Sequence, residues 1–241
     1  MSGVQLEIAA NSLASALAAQ EGGADRVELC ENLGEGGCTP SYGTLAMARE
    51  RLRVPLYVLI RPRGGDFLFD ALERDTMLRD IELCVRLGCD GVVIGALTQD
   101  GEVDVALCRE LIAAARPLGV TFHRALDVAR DPQAALDTAI ALGCERVLTS
   151  GAHASAIEGA DTIAALVQRA TGRIGVMAGA GITPDNVRDL VQRTGVREVH
   201  ASAKAPREST MRLARRLPGL ETQWSQSDGD TVRALRKALQ S

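Results

Sequence analysis

A five-residue phrase occurs four times in the sequence, each time between a helical pattern and a strand pattern. The copies begin at residues 23, 88, 143 and 195 and read GADRV, GCDGV, GCERV and GVREV. Glycine commonly ends a helix in the left-handed conformation. The starting positions are 65, 55 and 52 residues apart. Because one strand–helix unit needs roughly 25–30 residues, the phrase marks every second unit of a repeated βα plan.

The remaining strand patterns fall midway between the marked ones. The full predicted set is 4–8, 26–30, 56–60, 91–95, 120–123, 145–149, 174–178 and 199–202. Eight strands alternating with helices predict a (β/α)8 TIM barrel. A doubly wound open sheet is the main alternative, but it usually has a glycine-rich turn after its first strand, where this chain reads IAANS.

No linker or shift in composition divides the chain, so we predict one domain over residues 1–241. Within it, residues 203–227 are expected to form a long loop after the eighth strand, and residues 228–240 a terminal helix.

Composition excludes several functional classes. The net charge is −4 and aromatic residues make up 2%, whereas nucleic-acid binding needs a basic face and stacking rings. No apolar run reaches the ~18 residues of a membrane span, and the N-terminus has no secretory pattern, so a cytoplasmic location is expected. The six cysteines form no C-x-x-C pair, which is typical of free thiols in a reducing compartment.

Strand alternation predicts which polar side chains face the barrel interior. If the apolar residues of each strand face the helices, the intervening ones face inward. This places Glu7, Glu28, Cys30, His123 and His200 inside the barrel near its C-terminal rim. Active sites of TIM barrels form at that rim.

Further polar residues end the same strands or begin the loops after them. Unpaired buried charges are costly, so the two glutamates must meet an arginine, a histidine or a metal. A self-satisfied ion-pair network plugging the barrel is the structural alternative. The additional candidates for ligand binding are Arg61, Arg63, Asp66, Arg124, Asp127, Ser150 and Ser202.

A glycine turn follows the seventh strand, where Gly179 and Gly181 precede a Thr-Pro helix start. Backbone N–H groups at this place often bind phosphate in barrel enzymes. A tight turn also needs glycine for conformational reasons alone.

Several phrases, in order along the chain, strongly resemble the CutC family. They are ELCEN at 28–32, GGCTPSYG at 36–43, RPRGGDF at 61–67, TFHRALD at 121–127, LTSG at 148–151 and MAGAG at 177–181. The resemblance covers nearly the whole chain. It implies a cytoplasmic TIM-barrel protein of copper homeostasis, commonly a homo-oligomer, and we expect a dimer or tetramer.

Copper binding is the first functional hypothesis. Cuprous ion prefers thiolate and thioether ligands. Cys30 faces the rim and Cys38 lies eight residues on, so only a loop that folds back would bring the two sulfurs together. Met177 or a rim histidine would complete such a Cu(I) site.

Acid–base catalysis is the competing hypothesis. Glu7 or Glu28 would act as base, His123 or His200 as acid, and Arg61 would hold an anionic group. The compatible reactions are isomerase, lyase or hydrolase chemistry on a small anionic or phosphorylated metabolite. An oligomeric scaffold with a vestigial site is the third hypothesis.

Overall fold

The computed structural model describes residues 3–212, 217 and 222–240, and it confirms the predicted barrel. Eight parallel strands close in sequence order from β1 to β8, with β8 pairing with β1. The strands are β1 (Gln5–Ala10), β2 (Arg26–Leu29), β3 (Leu56–Leu59), β4 (Gly91–Ile94), β5 (Gly119–Phe122), β6 (Arg146–Thr149), β7 (Gly175–Gly179) and β8 (Glu198–Ala201). Each strand overlaps its predicted position.

Helices follow the strands and surround the barrel. They are α1 (Leu13–Glu21), α2 (Tyr42–Arg51), α3 (Ala71–Leu87), α4 (Val105–Ala115), α5 (Pro132–Leu142), α6 (Ala160–Ala170), α7 (Val187–Thr194) and α8 (Gly229–Gln240). Gly88, Gly143 and Gly195 end α3, α5 and α7 with φ of 69°, 82° and 71°. The repeated phrase therefore marks helix ends, as the sequence predicts.

The strand register agrees with the predicted alternation. Leu6 and Ile8 of β1, like Val27 and Leu29 of β2, are fully buried in the large apolar core between barrel and helices. The residues that alternate with them face the interior of the barrel, where Cys30, Tyr57, Leu59 and Val93 form a second, smaller cluster. Because a strand alternates strictly, burying the aliphatic face fixes which polar groups point inward.

The segment 203–227 contains secondary structure where we expected a loop. Strand β9 (Lys204–Glu208) pairs antiparallel with β10 (Gln223–Ser227), directly before α8. Residues 213–216 and 218–221 of this segment lie outside the described part of the chain. Among the described residues, no helix combines the length and apolarity needed to cross a membrane.

Candidate active site

The barrel interior holds an ion-pair network near the N-terminal ends of the strands. Arg26 of β2 binds the carboxylate of Glu7 and lies 2.6 Å from Oε2 of Glu198. Arg146 of β6 reaches the same Glu198 oxygen at 3.1 Å. We call this set the floor network. It forms part of the ion-pair plug that was the structural alternative. Arg26 and Arg146 were not among the predicted site residues, although strand alternation places both inside the barrel.

Above the floor network, Glu7 connects to a histidine of β8. Nδ1 of His200 lies 2.7 Å from Oε1 of Glu7 and 3.8 Å from Oε2 of Glu28. Burial works to raise the pKa of Glu7, but the charge of Arg26 and the contacts with His200 outweigh it and hold that pKa at about 2. Glu7 is therefore an anion at neutral pH.

Glu28 lies in a different electrostatic environment from Glu7. Burial raises its pKa to about 7; His200 works against this increase, while the Glu7 carboxylate adds to it. Burial also works to lower the pKa of His200, but the two carboxylates outweigh it and raise that pKa above its ordinary value. Glu28 can therefore take or release a proton near neutral pH, beside an imidazole whose pKa is raised.

His123 is a neutral group. Its Nδ1 accepts the backbone N–H of Ala125 at 3.2 Å. Burial lowers its pKa to about 3, and the positive charge of Arg61 adds to the effect. Gly95 leaves the space that the ring fills, since a Cβ there would lie 2.5 Å from Cε1 of His123. This arrangement fixes His123 as an uncharged imidazole.

Arg61 supports the surrounding loops from within. Its guanidinium donates to the backbone carbonyls of Glu35 at 2.8 Å, Gly37 at 2.7 Å and Gly65 at 2.6 Å. The Phe67 ring packs against it, with 4.9 Å from Cζ to the ring centroid. The Arg61 side chain is thus fixed by neutral partners and keeps its positive charge.

These residues surround one opening at the rim, which we call the rim cavity, of about 550 Å³. Of the described residues that border it, Arg61, Arg124 and Lys204 are basic and Glu28 is the one carboxylate. His200 adds positive charge when protonated. The border also includes Phe67, His123, Leu148, Gly181, Thr183 and Ser202.

Three polar atoms beside the rim cavity have no partner. Within the described ranges, the buried side-chain nitrogen and oxygen atoms that lack a hydrogen bond are Oε2 of Glu28, Nε of Arg61 and Nε2 of His123. All three residues border the rim cavity. Buried polar atoms are nearly always paired, so these three indicate where a bound molecule would complete the site.

The remaining predicted ligand-binding residues divide into two groups. Arg124 borders the rim cavity, held by Asp127 at 2.7 Å and Ser150 at 2.8 Å. The Asp127 carboxylate also accepts the backbone N–H of Ser150 at 2.9 Å. Asp127 and Ser150 therefore position Arg124 and tie two rim loops together, without bordering the cavity themselves.

Arg63 and Asp66 lie on a surface loop and pair with each other at 3.0 Å. Gly181 and Ser202 border the rim cavity, whereas Gly179 serves packing. A Cβ at Gly179 would lie 2.6 Å from Cδ1 of Leu148 and 3.3 Å from Cβ of His200.

The two candidate copper ligands lie apart from the rim cavity's border. Cys30 is buried in the small interior cluster, with Sγ 3.7 Å from the carbonyl oxygen of Ala10. The loop does fold back, since Glu31 and Cys38 exchange backbone hydrogen bonds of 2.9 and 2.8 Å. Burial raises the pKa of the Cys30 thiol far above its ordinary value, with Glu28, Cys38 and Glu31 adding to the effect.

One other group of potential metal ligands is present in the described chain. A ligand atom from each of Glu7, Glu28 and His200 lies within 4.8 Å of the others. Two carboxylates and an imidazole suit a harder divalent ion than Cu(I).

Comparison with known proteins agrees with the sequence resemblance. The CutC family profile matches residues 4–205. A CutC family protein of Xanthomonas axonopodis pv. citri is 68% identical over 199 residues, covering 83% of each chain. The human relative, named copper homeostasis protein cutC homolog, is 49% identical over 211 residues, covering 88% of this chain and 77% of its own.

Solved structures show the same fold. A crystal structure of CutC from Streptococcus agalactiae has a TM-score of 0.79 at 36% identity, covering 83% of this chain and 98% of that one. A thiamine phosphate pyrophosphorylase from Pyrococcus furiosus has a TM-score of 0.59 at 16% identity, covering 98% of this chain and 96% of that one. This second likeness shows the barrel fold alone.

Proposed function

The chain belongs to the CutC family, and we propose that this member is an acid–base enzyme that binds a small anionic metabolite in the rim cavity. The observation that carries the proposal is the set of unpaired buried atoms on Glu28, Arg61 and His123. Leaving such atoms unpaired costs about 1–3 kcal/mol each, more for charged groups. A ligand with matching polar atoms would recover that free energy on binding.

Charge supports an anionic ligand. The hydrogen-bond partners of the Arg61 guanidinium do not cancel its charge, because they are neutral carbonyl groups. Arg124 and Lys204 border the same cavity. The carboxylates of Glu28 and Glu7 favour the protonated form of His200 against the opposing effect of burial. Asp127 pairs with Arg124 from outside the cavity border, and Glu28 is the one carboxylate on the border among the described residues. The pKa of Glu28, about 7, leaves it partly neutral at physiological pH.

Glu28 and His200 are the residues that would transfer protons in this reaction. A general base works best when its pKa is near the operating pH, which holds for Glu28 and not for Glu7. Glu7 is a positioning residue, because Arg26 fixes its carboxylate and its other oxygen binds His200. His200 then supplies a proton or a positive charge beside Glu28.

Calorimetry and turnover together test this proposal. We expect the wild-type protein to bind at least one of inorganic phosphate, oxalate, malonate and 2-phosphoglycolate. We also expect it to consume a component of a mixture of phosphorylated and carboxylated metabolites followed by proton NMR. Glu28→Gln should retain binding and lose turnover by about 100-fold or more, the range of a general base. The exposed Glu21→Gln is the matched control. Absence of binding to all four anions would contradict the proposal.

Copper binding is a second candidate function, favoured by the name of the human relative. Cys30 and Cys38 would be the soft ligands for Cu(I). The two cysteines fit a Cu(I) site poorly in this conformation, because the buried Cys30 thiol is protonated and copper must displace that proton. No step of the acid–base chemistry proposed above passes through copper.

An anaerobic titration of the reduced protein tests the copper site. If Cu(I) binds at the thiols, stoichiometric binding should disappear in Cys30→Ser and persist in Cys108→Ser, a buried cysteine of α4. Unchanged Cu(I) affinity in Cys30→Ser would exclude a site at that thiol.

A further inference from the structure

The hydrogen-bonding state of His123 makes its free nitrogen a donor. Nδ1 accepts the Ala125 N–H, so the single proton of the neutral ring lies on Nε2. That Nε2–H is buried without a partner. It therefore requires an acceptor atom, and as a neutral imidazole it polarises that acceptor without transferring its proton.

Arg61 presents a second unpaired donor at the same cavity. Its terminal nitrogens are used by three carbonyl groups, which leaves Nε–H unpaired. The Phe67 ring contacts both side chains, with ring centroids of Phe67 and His123 4.7 Å apart. Both residues border the rim cavity, so two unpaired N–H donors are available there to an oxygen that gains negative charge.

The third unpaired atom is an acceptor. Glu28 borders the same cavity, and its Oε2 lies 3.8 Å from Nδ1 of His200 without a hydrogen bond. When Glu28 is ionised, this oxygen can be satisfied by taking a proton from the ligand.

From these contacts we propose that the substrate is a small anionic carbonyl compound and that the reaction is proton transfer at the carbon next to its carbonyl group. Arg61 and His123 hold the carbonyl oxygen, Glu28 removes the proton, and Arg124 binds the anionic group. The inference rests on the proposed function and narrows it to one reaction class.

The proton-transfer step needs no reactant other than the substrate and the side chains of the site. Glu28 Oε2 takes the proton as the C–H bond breaks, and the electron pair of that bond forms the new carbon–carbon double bond. The carbonyl π pair moves to the oxygen, which becomes an enolate held by the N–H groups of Arg61 and His123. Return of the proton from Glu28 to the same carbon restores the carbonyl group and completes a hydrogen exchange. If that carbon carries a hydroxyl group, transfer of the hydroxyl proton to the former carbonyl oxygen and return of the Glu28 proton to the former carbonyl carbon complete an isomerisation.

We assign the anionic group of the substrate to Arg124 because two neighbouring side chains hold its guanidinium in place. Asp127 and Ser150 fix its guanidinium at the cavity border, and Asp127 is itself buried and accepts several hydrogen bonds. Arg124 is therefore a specificity residue that favours a phosphate or carboxylate on the substrate.

Phosphoglycolohydroxamate, an enediolate mimic, and its amide, phosphoglycolamide, test the assignment by calorimetry. We expect wild-type protein to bind the hydroxamate at least about tenfold more tightly than the amide. The preference should disappear in His123→Phe, be partly retained in His123→Gln, and persist in His153→Phe, an exposed histidine outside the cavity border. Equal binding of the two probes, failure of both to bind, or a preference that survives in His123→Phe would overturn the proposal.

Nitrogen NMR of the histidine rings in the wild-type protein gives a second test that needs no variant. We expect His123 to carry its proton on Nε2 between pH 5 and 8 without titrating, consistent with a pKa of about 3. A proton on Nδ1, or titration in that range, would overturn the donor assignment.

If the four small anions bind but the hydroxamate preference is absent, the reaction class is wrong and the binding function stands. If none of the anions binds, the proposed function itself fails.

Discussion

Oε2 of Glu28 lies 3.8 Å from Nδ1 of His200 and makes no hydrogen bond, although both side chains are largely buried in the barrel. The same His200 atom is bonded to Glu7 at 2.7 Å. One histidine thus lies between a carboxylate that is fully paired and another that is not. The difference separates a permanent anion from a group that titrates near neutral pH.

Glu28 should make stability depend on pH. Burial raises its pKa from about 4.5 to about 7, so the folded protein holds the proton longer than the unfolded chain. This group therefore lowers stability as pH rises from 4.5 to 7. Relative to wild type, the free energy of unfolding of Glu28→Gln should increase across that window, by up to about 3 kcal/mol.

Urea denaturation at pH 5 and pH 8 measures the effect of Glu28→Gln, with Glu21→Gln as the exposed control. A difference between variant and wild type that stays constant, or falls with pH, would contradict the raised pKa of Glu28.

Loss of Arg26 should destabilise the floor network strongly. Arg26→Met leaves the buried Glu7 and the partly buried Glu198 without their shared cation. Breaking one side of a buried ion pair costs about 3–5 kcal/mol. Denaturant unfolding should show this loss, while Arg169→Met, which breaks a surface pair with Asp137, should change stability little. Similar effects of the two substitutions would show that the network carries no special stability.

A methyl group at Gly95 should disturb His123. The added Cβ would lie 2.5 Å from Cε1 and 2.6 Å from Nδ1 of the imidazole. We expect Gly95→Ala to cost about 1–3 kcal/mol, as overpacking does, and to weaken binding of small anions measured by calorimetry. Gly43→Ala is the control because its Cβ meets nothing within 4 Å in α2. Unchanged anion affinity in Gly95→Ala would show that anion binding does not depend on the position of the His123 ring.

Removing the charge of Glu7 should lower the pKa of His200. Glu7 accepts its hydrogen bond and contributes an attractive charge, while Arg26 repels the protonated ring. In Glu7→Gln we expect the pKa of His200, followed by proton–carbon NMR, to fall relative to wild type. The remaining carboxylate, Glu28, should still raise the pKa of His200 in this variant. An unchanged pKa would mean that Glu7 does not control this histidine.

Strand alternation was sufficient to predict the barrel and the inward placement of several candidate site residues. The aliphatic positions flanking Glu28 and His200 must face the helices, so both polar side chains face inward, as does His123 at the end of β5. Arg26 faces inward by the same alternation, but it lies at the N-terminal end of β2, away from the rim where barrel active sites form.

Other features depend on contacts between distant segments. The choice of Glu28 over Glu7 as base follows from the position of Arg26, which one strand's pattern does not reveal. Arg61 was expected to hold an anionic group directly, yet three of its N–H groups bind carbonyls of loops whose paths alternation does not determine. The β9–β10 pair arises from a polar segment without apolar alternation. Dimer or tetramer formation and cytoplasmic location stay predictions.

A crystal structure of the protein with 2-phosphoglycolate tests the central claim most directly, because the claim is that a small anion completes the three unpaired atoms. We predict a ligand oxygen within hydrogen-bond distance of Nε of Arg61 and Nε2 of His123, with the ligand in contact with Glu28. Ordered waters pairing all three atoms, with the anion bound outside the rim cavity or absent, would contradict the account.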